Sequence, residues 1–259
     1  VSDIYSQAAC ASRVRGIWSG GYSSATDQMS YLTISSLGNS IDFGNLTISI
    51  GRRSSFSSAT RGCWAGGGED PATETDVIDY VTIASTGNAK DFGNLTNARS
   101  RLSAVASPTR GVVMGGMDEP GNGSSNVIDY VTIASTGNAA DFGDLVGSGH
   151  VWSSSASNAV RGIQWCGHTP LTNHIEYITI ATLGNSTDFG DCSTAHNCGS
   201  AVASPTRCCD NFAITGSTDY SNVVEYVEIM TTGNAKDFGD LTQGRYITGG
   251  CSNGHGGLG

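Results

Sequence analysis

Residues 130–145 read Tyr-Val-Thr-Ile-Ala-Ser-Thr-Gly-Asn-Ala-Ala-Asp-Phe-Gly-Asp-Leu, and versions of this stretch occur five times along the 259 residues. Its most regular part is Asp-Phe-Gly, whose copies are spaced 49, 50, 47 and 49 residues apart. The copies begin at Asp42, Asp91, Asp141, Asp188 and Asp237. A period of this length is typical of solenoids, propellers and repeat arrays.

Each repeat predicts four short strands and no helix. In the third repeat, residues 103–107 and 112–114 are short apolar runs, and a turn with Pro108 lies between them. Residues 127–133 alternate and are rich in β-branched and aromatic side chains, which indicates a strand. The Gly137-Asn138 turn precedes a fourth short run at 142–145, because Gly and Asn tolerate positive φ.

Four-stranded units in series bury their apolar faces only against one another, and closing the series into a ring removes the exposed end faces. The sequence therefore predicts one all-β domain over residues 1–259, a five-bladed β-propeller with four-stranded blades. The blades are expected at residues 8–46, 54–95, 103–145, 154–192 and 200–241. Residues 248–253 repeat the first-strand position of a blade, so segment 242–259 supplies a surplus strand.

The order of motifs resembles the kelch repeat. A double Gly follows an apolar strand, a variable loop comes next, and a Tyr-bearing strand precedes an aromatic residue by about a dozen positions. Where a kelch blade usually has Trp, this chain has Phe, at Phe43, Phe92, Phe142, Phe189 and Phe238. The resemblance implies a kelch-like propeller and carries no activity with it.

The full wording of residues 130–145, followed in the chain by Ala-Ser-Xaa-Thr-Arg-Gly, also resembles the repeat of virion structural proteins of tailed marine bacteriophages. The ending Cys-Ser-Asn-Gly-His-Gly-Gly-Leu at 251–258 is similar to C-termini of that family. This resemblance implies a tail or fibre component, located on the virion surface or otherwise extracellular. Its implied partners are a host cell-surface glycan or protein, other virion subunits and copies of itself.

Composition narrows the partners further. The chain has 13 Lys plus Arg against 23 Asp plus Glu, a formal charge of −10. A net negative charge disfavours nucleic acid and anionic membrane surfaces as partners. The sequence has no run of eighteen apolar residues, so no membrane insertion is expected.

Polar residues that recur in every unit favour a structural role, since a catalytic group is needed once. An arginine recurs at the same point, at Arg15, Arg61, Arg110, Arg161 and Arg207. We expect each guanidinium to bind backbone carbonyls or the Asp of Asp-Phe-Gly within or between blades.

A ligand is expected where the units differ, in the loops after the double Gly, which emerge on one face of a propeller. The polar and aromatic candidates there are Tyr22, Asp27, Glu69, Asp70, Asp118, Glu119, His168 and Tyr220. Ordinary solvated loops are the alternative explanation of the same residues.

Eight cysteines in an acidic, Gly-rich chain indicate disulfides. The candidate pairs are Cys192 with Cys198, across a short loop, and Cys10 with Cys251, in terminal segments that should meet. A zinc interpretation of Cys192, His196, Cys198, Cys208 and Cys209 has suitable ligand types, but its spacing matches no common zinc module. The prediction is therefore no metal and no cofactor.

No catalytic motif is recognisable, since the sequence lacks a Gly-Xaa-Ser-Xaa-Gly elbow, a phosphate loop and His-Glu-Xaa-Xaa-His. We expect a non-enzymatic virion structural or host-attachment propeller. One alternative is a self-assembling extracellular filament subunit that uses the surplus strand, and another is a secreted, lectin-like propeller. Five-bladed propellers include glycosidases with paired carboxylates, so the sequence leaves an enzyme open.

Overall fold

The computed structural model describes residues 6–21, 26–69, 73–118, 123–147, 150–216, 219–245 and 247–250. The described residues form β-strands, turns and loops, and no helix of these residues is long and apolar enough to cross a membrane. Five antiparallel four-stranded sheets follow one another along the chain, and in each the spatial order equals the chain order. The all-β class and the four-stranded sheets are confirmed.

The strand bounds follow the repeats. The first sheet contains β1 (Ala8–Ala11), β2 (Arg15–Ser19), β3 (Gln28–Thr33) and β4 (Ile41–Asn45). The second contains β5 (Ser54–Ser57), β6 (Arg61–Ala65), β7 (Val77–Thr82) and β8 (Lys90–Asn94). A small sheet combines β9 (Arg99–Ser100) with two strands of the third unit's loop, β12 (Met117–Asp118) and β13 (Gly123–Ser124).

The remaining sheets have the same plan. The third contains β10 (Ser103–Ala106), β11 (Arg110–Met114), β14 (Val127–Thr132) and β15 (Ala140–Asp144). The fourth contains β16 (Ser154–Ser157), β17 (Arg161–Gly167), β18 (Thr172–Thr179) and β19 (Thr187–Asp191). The fifth contains β20 (Ser200–Ala203), β21 (Arg207–Asn211), β22 (Val223–Glu228) and β23 (Lys236–Asp240).

Successive sheets pack face to face, and an apolar cluster fills each of the four junctions between them. The first strands β1, β5, β10, β16 and β20 are neighbours in that order. Together with Gly249 and Gly250 they line a central cavity of about 720 Å³. Small side chains permit this close approach: the hydroxyls of Ser55 and Ser57 donate to the carbonyls of Ala9 and Ala11, at 2.7 and 3.0 Å.

The repeated arginine joins one sheet to the next. In each of the first four sheets its Nη1 donates to a backbone carbonyl of the following sheet, at 2.8–3.1 Å. The accepting carbonyls belong to Ile83, Ile133, Ile180 and Ile229. The guanidinium also lies over a Tyr ring of its own sheet, 4.0–4.7 Å from the centroid. Each arginine therefore fastens a junction.

The Asp of every Asp-Phe-Gly has a local role. Its Oδ1 accepts the amide of the Gly two residues later, at 3.0–3.2 Å in all five units. The Asn of the following unit's Gly-Asn turn accepts the next amide, as in Asn94 N–H to Asn138 Oδ1 at 3.1 Å. Gly93 allows the Gly137-Asn138 turn of the following unit to pack against it, because a Cβ on Gly93 would clash with the carbonyl oxygen of Gly137.

Between the fifth and first sheets these contacts are missing in the described part of the chain. Arg207 binds Glu228 of its own sheet, and a Cβ on Gly239 would meet no atom within 4 Å. Phe238 is 57% exposed and Ile34 is 54% exposed, whereas their equivalents in the junctions are at most 3% exposed. The structure therefore does not confirm closure of the ring by five units.

Residues 247–250 lie beside the fifth sheet. The side chains of Thr248 and Asn211 are hydrogen bonded, and Gly250 packs against Ser200 and Val202 of β20. Ile247 has a positive φ of 52°, a conformation that recurs two residues before each first strand. Part of the predicted surplus segment thus lies beside β20, where the next first strand of the series is expected.

Candidate functional site

One edge of the sheets carries the loops between second and third strands and the linkers between units, because the strands are antiparallel. We call this edge the loop face. Three of the predicted ligand-binding residues, Tyr22, Asp70 and Glu119, lie outside the described residues. The other five are Asp27, Glu69, Asp118, His168 and Tyr220, and each lies on a different loop of this face.

These five side chains are at least partly exposed, with His168 and Tyr220 the most accessible. Asp118 belongs to β12, which pairs with β9 and holds the third loop against the linker. His168 pairs through its backbone with Val151, at 2.8 and 3.1 Å. The loops are therefore anchored to the linkers and present their polar groups to solvent.

The middle of the loop face has a smaller cavity of about 210 Å³ that sequence reasoning missed. Arg52, Arg101 and Trp152 line it, and the Arg101 guanidinium lies 5.5 Å from the Trp152 ring centroid. We call it the axial funnel. All three residues have φ between 55° and 59°, two positions before a first strand. Comparing this position between units would have found it, since five residue types occupy its six copies: Ser6, Arg52, Arg101, Trp152, Cys198 and Ile247.

A β-bulge in every unit places a polar residue of the third strand next to the junction. These residues are Ser30, Asp79, Asp129, Glu176 and Glu225, and the four acids are at most 4% exposed. In two junctions an arginine pairs with the carboxylate: Arg53 with Asp79 at 2.6 Å and Arg99 with Asp129 at 2.5 Å. In the third junction, Nε2 of His150 lies 3.2 Å from Oε1 of Glu176. A buried carboxylate is tolerated only with such partners.

The junction of the fourth and fifth sheets is different. Cys166, Cys192 and His196 place one ligand atom each within 4.8 Å of one another, and all three are at most 3% exposed. The two Sγ atoms are 3.1 Å apart. We call these residues the thiol–imidazole cluster. Thiolate sulfur and imidazole nitrogen are preferred ligands of zinc.

His196 is held firmly in this cluster. Its Nε2 lies 2.6 Å from Oδ2 of buried Asp210, and its Nδ1 lies 3.0 Å from the carbonyl oxygen of Thr194. The ring stacks on Phe212 with centroids 3.9 Å apart. Burial acts to lower the pKa of His196, but Asp210 and the Cys166 sulfur overcome it and raise the pKa to about 10.

The cysteine pair replaces a Gly–Leu contact that the first three units keep. Cys166 occupies the place of Gly66 and Gly115, and Cys192 occupies that of Leu95 and Leu145. A Cβ on Gly66 or Gly115 would lie 3.4 or 3.2 Å from Cδ1 of that leucine. Both partners of one contact are therefore cysteine in the fourth unit alone.

Backbone strain accompanies the exchange. The two glycines have φ near +61°, and Cys166 keeps the left-handed backbone with φ 49°. This conformation costs a residue with a side chain about 1–2 kcal/mol. Strain of this kind concentrates at functional sites.

The structure places the cysteines as follows. Cys192 and Cys198 are free thiols, and Cys192 lies beside Cys166. The Cys192–Cys198 disulfide stays a prediction. Cys10 is a buried free thiol, and its expected partner Cys251 lies outside the described residues. Of the five residues weighed for zinc, Cys192 and His196 come together, whereas Cys198, Cys208 and Cys209 are not in the cluster.

Cys166 was missed because it lies 26 residues before Cys192, and no local spacing connects them. The alignment of the repeats contained the signal, as a Gly-Gly changed to Cys-Gly and a Leu changed to Cys in the same unit.

Comparisons of this chain with known proteins give information on its fold and on nothing else. The sequence matches no protein-family model and no curated protein. Among solved structures, one described as the structure of YjhT aligns with a TM-score of 0.76 and 9% sequence identity. The alignment covers 95% of this chain and 86% of that chain. At this identity the similarity speaks only to architecture, and the chain is accordingly an all-β protein of propeller-like fold.

Proposed function

We propose that this protein is a non-enzymatic binding propeller, a virion surface or tail component that contacts the host cell through its loop face. The observation that carries the proposal is that repeated residues hold the sheets together, whereas residues that vary between units lie on the loop face. The repeated Arg, Asp and Asn side chains are engaged in fastening sheets and turns. The residues that differ between units are gathered around the axial funnel.

The proposal includes the finer architecture. The five sheets are blades around one axis through the central cavity, in a ring with six positions. Two observations support this count: residues 247–250 occupy the next first-strand place, and the fifth and first sheets keep exposed faces. A ring with a gap still presents the loops on one face, where the third and fourth loops pair with linkers.

The axial funnel is the favoured binding place. Trp152 offers a flat apolar surface, and the guanidinium groups of Arg52 and Arg101 bring positive charge beside it, which favours hydroxyl, carbonyl or anionic oxygens. Asp27, Glu69 and Asp118 add acceptors on the loops of the same face. This mixture suits a host cell-surface glycan or a polar protein surface.

The test is binding of the purified protein to a glycan array and to intact host cells. Trp152→Asn keeps a residue that tolerates positive φ and removes the ring, so we expect at least a tenfold loss of binding. Lys90→Ala changes an exposed residue at the opposite edge of the second sheet and serves as the control. Equal binding by the wild type, Trp152→Asn and Lys90→Ala would contradict the proposed funnel.

A filament subunit is the second candidate, and the gap favours it. Leu37 at 104% exposure, Ile34 and Phe238 form apolar surface on the two sheets that border the gap. A second copy could cover such surface and build a chain of molecules. Sedimentation over a range of concentrations distinguishes the candidates: growth into fibres that stops in Phe238→Ser supports the filament. An oligomer size unaffected by deletion of residues 248–259 argues against strand addition.

A further inference from the structure

We propose that Cys166, Cys192 and His196 form a zinc-binding site that connects the fourth sheet to the linker leading to the fifth sheet. The proposal is independent of the proposed binding function. It replaces the expectation of no metal and differs in its ligands from the set weighed from sequence.

The donor set carries the first step. Two sulfurs and one imidazole nitrogen converge within 4.8 Å in a fully buried place. Two thiolates on one tetrahedral zinc, each at about 2.3 Å, lie roughly 3.8 Å apart. The present separation of 3.1 Å reaches that value by a small rotation of either side chain.

The matched exchange between repeats carries the second step. A single cysteine in a core is an ordinary small apolar residue. Here both sides of one contact are cysteine, and Cys166 stands in a left-handed conformation that glycine fills in the neighbouring units. Packing alone gives no reason for this combination, whereas a shared ligand does.

The orientation of His196 carries the third step. In the preceding junction, His150 binds the bulge carboxylate Glu176. His196 occupies the equivalent linker position but binds Asp210 of β21, while Glu225 accepts the amide of Ser193. With Nε2 on Asp210, the ligand to zinc would be Nδ1, which would exchange its contact with the Thr194 carbonyl for the metal. A carboxylate behind a ligating histidine fixes its ring and tautomer, so Asp210 is a positioning residue.

Local charge agrees with a bound cation. The carboxyl groups of Asp210 and Glu225 are both buried at this junction. A divalent cation between the thiols offsets this negative field and keeps both sulfurs as thiolates.

The repeats supply the test variant. Cys166→Gly with Cys192→Leu restores the pair of the second and third units, so this double variant is expected to fold. After loading with zinc under reducing conditions and removal of the excess, elemental analysis should find about one zinc per chain in the wild type. The double variant should hold none, and Cys209→Ser, outside the cluster, should retain it.

A second readout excludes adventitious metal. A chelator should lower the melting temperature of the wild type and of Cys209→Ser, and leave that of the double variant unchanged. Three results would overturn the proposal: folded wild type without zinc, equal zinc in wild type and double variant, or a Cys166–Cys192 disulfide in the intact protein.

Discussion

Arg110 and Arg207 both lie over a Tyr ring of their own sheet, but only Arg110 also binds the next sheet. Arg110 lies 4.5 Å from the Tyr130 centroid and donates at 2.8 Å to the carbonyl of Ile180. Arg207 lies 4.3 Å from the Tyr226 centroid, but its other partner is Glu228, in an ion pair whose side chains are 45% and 44% exposed. The two Ala variants therefore differ by the junction hydrogen bond of Arg110 and the exposed ion pair of Arg207.

The magnitudes follow from these contacts. A hydrogen bond from a charged donor contributes about 1.5–3 kcal/mol, and its loss also leaves the carbonyl at the junction unsatisfied. An exposed ion pair contributes about 0–1 kcal/mol. Both variants lose a cation–π contact, which cancels in the comparison.

The free energy of unfolding of Arg110→Ala should thus be roughly 1–3 kcal/mol lower than that of Arg207→Ala. In a thermal melt this difference corresponds to about 2–12 °C for a chain of this size. Urea unfolding followed by tryptophan fluorescence measures it. Equal destabilisation by the two variants would refute the inference that Arg110 joins its sheet to the next sheet and that Arg207 does not.

Three further outcomes are expected. Asp129→Ala should lower the free energy of unfolding in urea by about 3–5 kcal/mol because it leaves Arg99 charged and buried. The double variant Arg99→Met with Asp129→Leu should lose less stability, and a smaller loss in Asp129→Ala than in the double variant would contradict this. Gly93→Ala should destabilise more than Gly239→Ala by at least about 1–3 kcal/mol, since both have positive φ but only the first Cβ strikes the next sheet. Trp152→Asn should reduce ligand binding and shift the melting temperature little, and unfolding of this variant would remove the funnel interpretation.

Much of the fold follows from short-range pattern. The alternation of residues 127–132 and the Gly137-Asn138 turn fix a strand and a hairpin without help from the rest of the chain. Five copies of one pattern then predict five like sheets. The repetition of Arg110 and Asp141 also indicates fastening before any contact is known.

Closure of the ring depends instead on the angle between successive sheets, which no residue pattern specifies. The thiol–imidazole cluster was missed for a related reason. Cys166 and Cys192 meet across their sheet, and His196 joins them only through the course of the linker. The axial funnel arises from one position per unit, so its residues are about fifty positions apart in the chain.

The virion role is tested most directly by labelling native material with an antibody against this chain and a gold conjugate in the electron microscope. The account predicts gold on the tails or surface of phage particles. Gold along free fibres, with none on particles, would contradict it and establish an assembled extracellular filament.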